Sequence, residues 1–192
     1  MATNSWEQRK YSEVFISLAD KGHPDLPVLA ASQQLGMIRR DENGIVFIHE
    51  KKNENGYKRV VPGNFVIHLR SFQGGFAHSD IEGITSPAYT VLAFSDSRKH
   101  APHFWKYVFT SERFIKFLEK VTYGIRDGRT ISVNDFYHSI ATYPSVNEQT
   151  KIARALDQCD SLITLHQREG KYSSKQGEKN EKKKKCSFCR LL

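Results

Sequence analysis

Hydrophobic and polar positions follow a strand-like pattern in the first half of the chain and a helical period later. Between residues 25 and 95, short apolar runs are separated by Gly, Asn, Asp and Pro, a pattern typical of β-strands joined by tight turns. The runs are Leu26–Ala30, Ile45–His49, Phe65–Leu69 and Tyr89–Phe94. The Asn-Gly pairs at 43–44 and 55–56 are the strongest predicted hairpin turns. This half is therefore predicted to be rich in β-structure.

Helical spacing begins near residue 111. Ser111 can cap a helix whose apolar residues continue to Val121. An extended segment, Thr130–Val133, and a short helix near Asn134–Ser139 are predicted to follow.

A longer amphipathic helix is predicted from Ser145 onwards. Pro144 ends the extended segment before it, and Ser145 with Glu148 forms a capping box. Apolar or small residues then recur with spacings of four and three, as in a coiled-coil heptad. These seam residues are Ile152, Leu156, Cys159, Ile163 and His166. Such a seam predicts a helix that packs against a partner.

The apolar period stops near Glu169. Residues 170–192 carry seven Lys and one Arg against two Glu, a local charge of +6 out of +8 for the chain. This segment has too few apolar residues to bury and is predicted to be a disordered basic tail. We therefore divide the chain into a domain at 1–144, a helix at 145–169 and a tail at 170–192.

The rest of the chain is nearly neutral but contains one basic block at residues 98–129. Its cations outnumber its acids by five. The block fits either a surface that faces phosphates or a solvated helix face, and charge alone favours the second.

Motifs of the common enzyme classes are absent from the sequence. There is no P-loop, no His-Glu-x-x-His, no Gly-x-Ser-x-Gly, and no Pro-Pro such as an adenine methyltransferase requires. The eight histidines lack ligand spacing apart from His100 and His103, so no metal site is predicted. No apolar run approaches the roughly 20 residues that span a bilayer, and the polar N-terminus lacks a signal-peptide core. A cytoplasmic location is expected.

Two cysteines near the C-terminus leave alternatives open. Cys186 and Cys189 form a single pair, which is a weak zinc signal because a closed site needs four ligands. The last four residues, Cys189–Leu192, also fit a prenylation signature. A lipid-anchored signalling protein is therefore one alternative, although the body lacks a GTPase phosphate loop.

The most distinctive internal block runs from Val61 to Tyr89. It is predicted to be a strand that ends in the Gly74-Gly75 turn, with polar side chains around the turn. Arg side chains form hydrogen bonds with guanine, Gln side chains with adenine, and Ser side chains with either, so the side chains around this turn could bind phosphates and base edges. A polar loop that supports the turn is the structural alternative.

This block resembles the target recognition domain of type I restriction–modification specificity subunits. That family shows a Val-x-x-Gly-Asp-Phe-Val-like strand, a Gly-Gly turn and a Gly-x-x-Ser-Pro-x-Tyr segment, and the chain has counterparts beginning at Val60, Gly74 and Gly83. The likeness ends in Pro144-Ser145-x-x-Glu148-Gln149-x-x-Ile152-Ala153, which resembles the family's spacer helix. It covers residues 6–169.

The resemblance implies an α+β fold: a mixed α/β recognition domain with a β-rich first half, followed by one long coiled-coil-type helix. It also implies a non-catalytic subunit that recognises double-stranded DNA. Family members bind methyltransferase subunits and ATP-dependent translocase–nuclease subunits. The complex methylates adenine or cleaves unmodified DNA, and S-adenosylmethionine, ATP and Mg belong to the partner subunits.

Family members carry two recognition domains and two helices, whereas this chain has one of each. Homodimerisation, or pairing with a second half-subunit, through Ile152, Leu156, Cys159 and Ile163 would restore two half-sites. A frame-shifted or truncated end would also explain the tail. A coiled-coil adaptor that binds no DNA is the alternative function.

Six residues are the expected DNA contacts, chosen by side-chain chemistry and loop position. They are Arg70, Ser71, Gln73, His78, Arg126 and Arg129. The DNA sequence that they would recognise is not predicted, because base-reading loops vary within a shared framework.

Overall fold

A computed structural model describes residues 6–32, 35–40, 51–68, 75–119, 122–123 and 130–188. Within these ranges the side chains of residues 51–53, 122–123, 130 and 168–188 are left undescribed. The chain divides into two compact units, Met1–Thr150 and Lys151–Leu192.

Short strands and helices alternate along the chain and are followed by one long helix. The strands are β1 (Glu7–Lys10), β2 (Phe15–Leu18), β3 (Leu29–Ser32), β4 (Gly36–Arg39), β5 (Lys58–Val60), β6 (Phe65–Ile67), β7 (Phe76–His78), β8 (Gly83–Thr85), β9 (Thr90–Phe94), β10 (Thr122–Tyr123), β11 (Thr130–Ile131) and β12 (Ile140–Tyr143). The helices are α1 (Tyr11–Val14), α2 (Pro102–Thr110), α3 (Glu112–Leu118), α4 (Val133–His138) and α5 (Val146–Phe188). This mixture of helices and antiparallel strands confirms the predicted α+β class.

A four-stranded antiparallel sheet, in the order β2-β9-β6-β7, lies at the centre of the first unit. All three residues of β6 are buried, because both faces of the strand are covered. Phe65 packs against the aromatic rings of Phe15 and Phe109. Val66 belongs instead to an aliphatic cluster with Leu29, Met37, Val60, Ala77 and Val91. The continuous apolar run in the sequence thus reflects a strand that is buried on both faces.

Aromatic side chains from α1 to α4 cover the other face of the sheet. The ring centroid of Phe109 lies 4.7 Å from that of Phe76 and 4.8 Å from that of Phe114. Trp105 is fully buried, and its ring contacts Phe15 and Phe109. Each fully buried ring contributes on the order of 2 kcal/mol of hydrophobic free energy, so this layer is a major source of stability.

The first and last strands of the unit pair with each other. Glu7 of β1 lies opposite Tyr143 of β12, and Lys10 lies opposite Ile140. Residues from both ends of the unit therefore complete one small sheet, and α5 begins directly after it.

Several local predictions are confirmed. The hydroxyl of Ser111 accepts a hydrogen bond from the Phe114 amide and caps α3. Helix α5 begins at Val146, and the Gln149 amide donates to the Ser145 carbonyl. Ser145 is thus the residue before the first helical position, as predicted.

Other local predictions differ from the structure. Asn55 and Gly56 belong to a 3₁₀ helix, Lys51–Gly56, and β5 after them pairs with β8. The predicted hairpin turn at 55–56 is wrong, because the partner of β5 comes from later in the chain. The Asn-Gly pair at 43–44 and the strand Ile45–His49 lie outside the described residues.

The last helix extends beyond the predicted limit at Glu169. The backbone is helical to Phe188, so the structure differs from the disordered tail predicted for residues 170–192. Lys, Glu and Gln favour helices without needing an apolar face, which explains how a helix can continue after the apolar pattern stops. The functional division into domain, helix and tail stays a prediction. No helix within the described ranges is long and apolar enough to cross a membrane.

Candidate nucleic-acid interface

The predicted recognition block forms a β-hairpin. Phe65 of β6 pairs with His78 of β7, Ile67 pairs with Phe76, and the His68 amide donates to the Gly75 carbonyl at 3.0 Å. The hairpin stem is buried and belongs to the central sheet. The residues between His68 and Gly75 are thus attached to a buried, paired hairpin stem.

Three of the expected DNA contacts fall in this connection. Arg70, Ser71 and Gln73 lie outside the described residues, as do Arg126 and Arg129 between β10 and β11. Their role as DNA contacts stays a prediction.

His78 is placed differently from the expectation. Its side chain is only 4% exposed, with Nδ1 3.5 Å from Oδ1 of Asp80. The Nε2 of His103 lies 3.4 Å from the same oxygen. Burial lowers the pKa of His78, an effect that the Asp80 carboxylate partly opposes. The buried imidazole has no edge available to a base in this conformation, so the expectation of a DNA contact at His78 does not fit its position.

The Gly63-Asn64 pair at the start of the block has a structural role. Asn64 is buried, and its side-chain oxygen accepts from the Val61 amide at 2.9 Å. The amide of Gly63 donates to the Ser79 carbonyl, and the Ser79 amide donates to the Asn64 carbonyl. Gly63 has φ of +90°, a conformation that favours glycine. These residues hold the two strands of the hairpin in register.

The Ser86-Pro87-x-Tyr89 segment lies at the end of the sheet where the hairpin connection begins. The Tyr89 amide donates to the Ser86 carbonyl and forms a turn. The Tyr89 ring lies 6.3 Å from the ring of His68, the last described residue before the connection. This motif therefore supports the base of the hairpin.

The basic block at residues 98–129 is partly neutralised. Arg98 and Lys99 lie 3.0 and 3.8 Å from the carboxylate of Asp96. Lys116 lies 2.7 Å from the carboxylate of Glu112, one helical turn away. These pairs favour a solvated surface over a dedicated phosphate-binding face in the described part of the block.

Gln149 belongs to the spacer-helix motif, in which no separate role is predicted for it, and the structure supplies one. Its side chain is fully buried. Its Oε1 accepts from the Ala101 amide at 2.9 Å, and its Nε2 donates to the carbonyls of Lys99 at 3.2 Å and Pro144 at 2.8 Å. Three backbone groups on two segments are thus joined by one amide. The signal in the sequence was a polar residue in the first turn of an otherwise apolar helix face.

The predicted partner helix presents apolar side chains to solvent in the second unit. Leu156, Leu162 and Ile163 are 37%, 58% and 55% exposed. Cys159 is exposed and carries a free thiol, whereas Ile152 is half-buried. Exposed apolar residues spaced along one helix are typical of a surface that binds a partner, and this assignment stays a prediction.

Metal and lipid chemistry receive no support from the described residues. Among them, no group of three His, Cys, Asp or Glu side chains could hold a metal ion. The Cys186 side chain and Cys189 lie outside the described part of the chain, so zinc binding and prenylation stay open as alternatives.

Comparison with known proteins gives matches among solved structures. No protein-family profile matches the sequence, and no curated protein matches it. A chain from a structure of the type I R-M system, solved to explain its complex assembly and conformational transition, matches with a TM-score of 0.58 and 17% identity over 88% of this chain. The HsdS subunit from Thermoanaerobacter tengcongensis matches with a TM-score of 0.55 and 17% identity over 86% of this chain. The S subunit of a type I restriction-modification system from M. genitalium matches with a TM-score of 0.55 and 13% identity over 84% of this chain.

This chain has the fold of a type I specificity subunit. The fold that the sequence resemblance implied is thereby confirmed. The chain spans 41% of the length of the first matched chain and 40% of each of the other two.

Proposed function

We propose that this chain is a DNA-recognition subunit, or half-subunit, of a type I restriction–modification complex. The observation that carries the proposal is the likeness to specificity subunits over 88% of this chain, obtained with less than half of the matched chain. A family member carries two recognition domains and two helices, so one domain with one spacer helix would make up slightly less than half of its length. The buried hairpin stem, with predicted base-reading residues in its connection, supports the same proposal.

The proposed subunit catalyses nothing itself. It selects the DNA sequence at which cytoplasmic partner subunits methylate adenine or cleave DNA. S-adenosylmethionine, ATP and Mg are bound by those partner subunits and not by this chain. The absence of enzyme motifs from the sequence supports this division of labour.

The exposed seam of α5 is the proposed partner surface. It would pack against a second copy of this chain or a second half-subunit, and against methyltransferase subunits. Ile163→Glu places a charge at a position that is already 55% exposed, so folding should be unaffected. We expect this variant to lose its partner or second copy in size-exclusion chromatography. Arg154→Gln, a change of one charge at an exposed position on the opposite side of the same helix, should assemble like the wild type.

A DNA-selection experiment tests the proposal. The full chain, with and without its co-expressed methyltransferase, is incubated with a pool of randomised duplexes, and bound DNA is sequenced. We expect enrichment of a defined sequence and a steep fall in affinity with salt. Equal recovery of all sequences at moderate salt would contradict the proposal.

A coiled-coil adaptor is the second candidate, favoured by the exposed apolar residues of α5. It predicts assembly through α5 that persists at high salt and ignores added DNA. The same chromatography, repeated with a duplex and with raised salt, distinguishes the two functions.

A further inference from the structure

Two lysines lie side by side near the start of the hairpin connection. Lys21 and Lys58 are partners in an antiparallel β-bridge. Opposite residues in such a pair have Cβ atoms about 5 Å apart, close enough for side chains to interact. Like charges placed directly opposite each other repel, so this pair needs an explanation.

The Lys58 ammonium group is held in place by the backbone. Its Nζ donates to the Tyr89 carbonyl at 2.6 Å. Burial, and then repulsion from Lys21, lower the pKa of Lys58. An ammonium group has three donor hydrogens, so the bond to Tyr89 leaves donors for a ligand. A bound anion would offset both the burial and the repulsion.

The neighbouring cation, Arg59, has a different environment. It contacts the Glu82 carboxylate at 2.6 and 2.9 Å and the Asp20 carboxylate at 3.5 Å. Asp20 also contacts Nε2 of His23 at 2.8 Å. The carboxylates of Asp20 and Glu82 are therefore engaged with Arg59 and His23.

The lysine pair is connected to the recognition hairpin. Lys58 bonds to the Tyr89 carbonyl, and the Tyr89 ring contacts the His68 ring. Ile67 of β6 pairs with Thr90 of β9, which places Tyr89 at the sheet end where β6 leaves for the connection. A ligand bound by the two lysines would lie beside the base of that hairpin.

We propose that Lys21 and Lys58 together bind a phosphate of the DNA backbone next to the recognition hairpin. This inference rests on the proposed DNA-binding function and adds a phosphate contact to it. Ammonium groups act on phosphates as point charges, without the planar fork that lets arginine recognise guanine. The pair thus positions the domain on DNA and carries no sequence information itself.

Salt-dependent binding tests the lysine pair. Fluorescence anisotropy of a labelled duplex gives the affinity of the full chain at several KCl concentrations. Each neutralised phosphate contributes about 0.9 to the slope of log affinity against log salt. We expect Lys21→Gln, Lys58→Gln and the double variant to bind several-fold more weakly, with the double variant losing about 0.9 from the slope. The loss of affinity should be equal for duplexes that carry the selected sequence and for duplexes of random sequence.

Two controls make the result specific. Lys116→Gln removes the same charge at an exposed lysine that is paired with Glu112, and its slope should equal that of the wild type. Lys21 is exposed, so Lys21→Gln should fold normally. Lys58→Arg retains the charge at the partly buried position and should retain the slope.

The outcomes separate this inference from the function on which it rests. A wild type that binds duplexes, together with a double variant of unchanged slope, would overturn the lysine site and leave the DNA-binding proposal intact. A double variant that binds no more weakly than Lys116→Gln would also overturn it. If the wild type shows no salt-dependent duplex binding, both proposals fail.

Discussion

Removal of the Gln149 side chain is expected to be among the most damaging single changes near the start of α5. In Gln149→Ala, the Ala101 amide and the carbonyls of Lys99 and Pro144 all lose their partner. A lost hydrogen bond at a buried group costs about 1 kcal/mol or more, so three together give about 3 kcal/mol. That is a large fraction of the roughly 5–15 kcal/mol by which domains are stable.

The free energy of unfolding is measured by urea titration with tryptophan fluorescence as the signal. Trp105 is a suitable reporter because it is fully buried and its amide bonds to the Ala101 carbonyl. Gln158→Ala is the matched control, since it makes the same substitution at an exposed position of the same helix. If Gln149→Ala costs no more than the roughly 0.5 kcal/mol typical of surface changes, the side chain does not hold these segments together.

Two further predictions concern a close backbone approach and pH. Gly83→Ala would place a methyl group 2.5 Å from the Pro27 carbonyl oxygen and 2.6 Å from Cγ of Leu29, so we expect a marked loss of stability; Gly56→Ala, with no neighbour within 4 Å of its added methyl, is the control. Burial lowers the pKa values of His78 and His100 in the folded protein. The unfolded chain therefore binds more protons below its own pKa of about 6.5, and stability should fall as pH is lowered from neutrality. Urea midpoints between pH 7.5 and 5 check this, and a His78→Asn, His100→Asn double variant should show a weaker dependence. If the urea midpoints of this double variant depend on pH as those of the wild type do, the two histidines are not the source of the pH dependence.

Local sequence was sufficient where neighbouring residues decide the structure. The cap at Ser111 and the start of α5 after Pro144 follow from side chains within three or four residues of the bonded atoms. The apolar run Phe65–Ile67 predicted a strand, and its burial on both faces explains the lack of alternation. The family motifs also indicated the specificity-subunit fold.

The candidate site was only partly predictable from sequence. Side-chain chemistry selects Arg70, Ser71 and Gln73 as DNA contacts, and that role stays a prediction; the structure describes the paired stem on either side of them. His78 fits the same chemical criterion but is buried, because both faces of β7 are covered and the His103 ring of α2 packs against it. Helix α2 was missed, although Phe104, Trp105 and Phe109 follow helical spacing.

The sequence by itself determined the cap at Ser111, the apolar period of α5 and the family resemblance, since each depends on residues that are close along the chain. Only the tertiary structure decided the pairing of Lys21 with Lys58 and the contact of Gln149 with Ala101, which is 48 residues away in sequence. It also placed β1 beside β12. The physical reason is that hydrogen bonding and burial depend on which distant segments meet, and no local pattern of residues encodes that meeting.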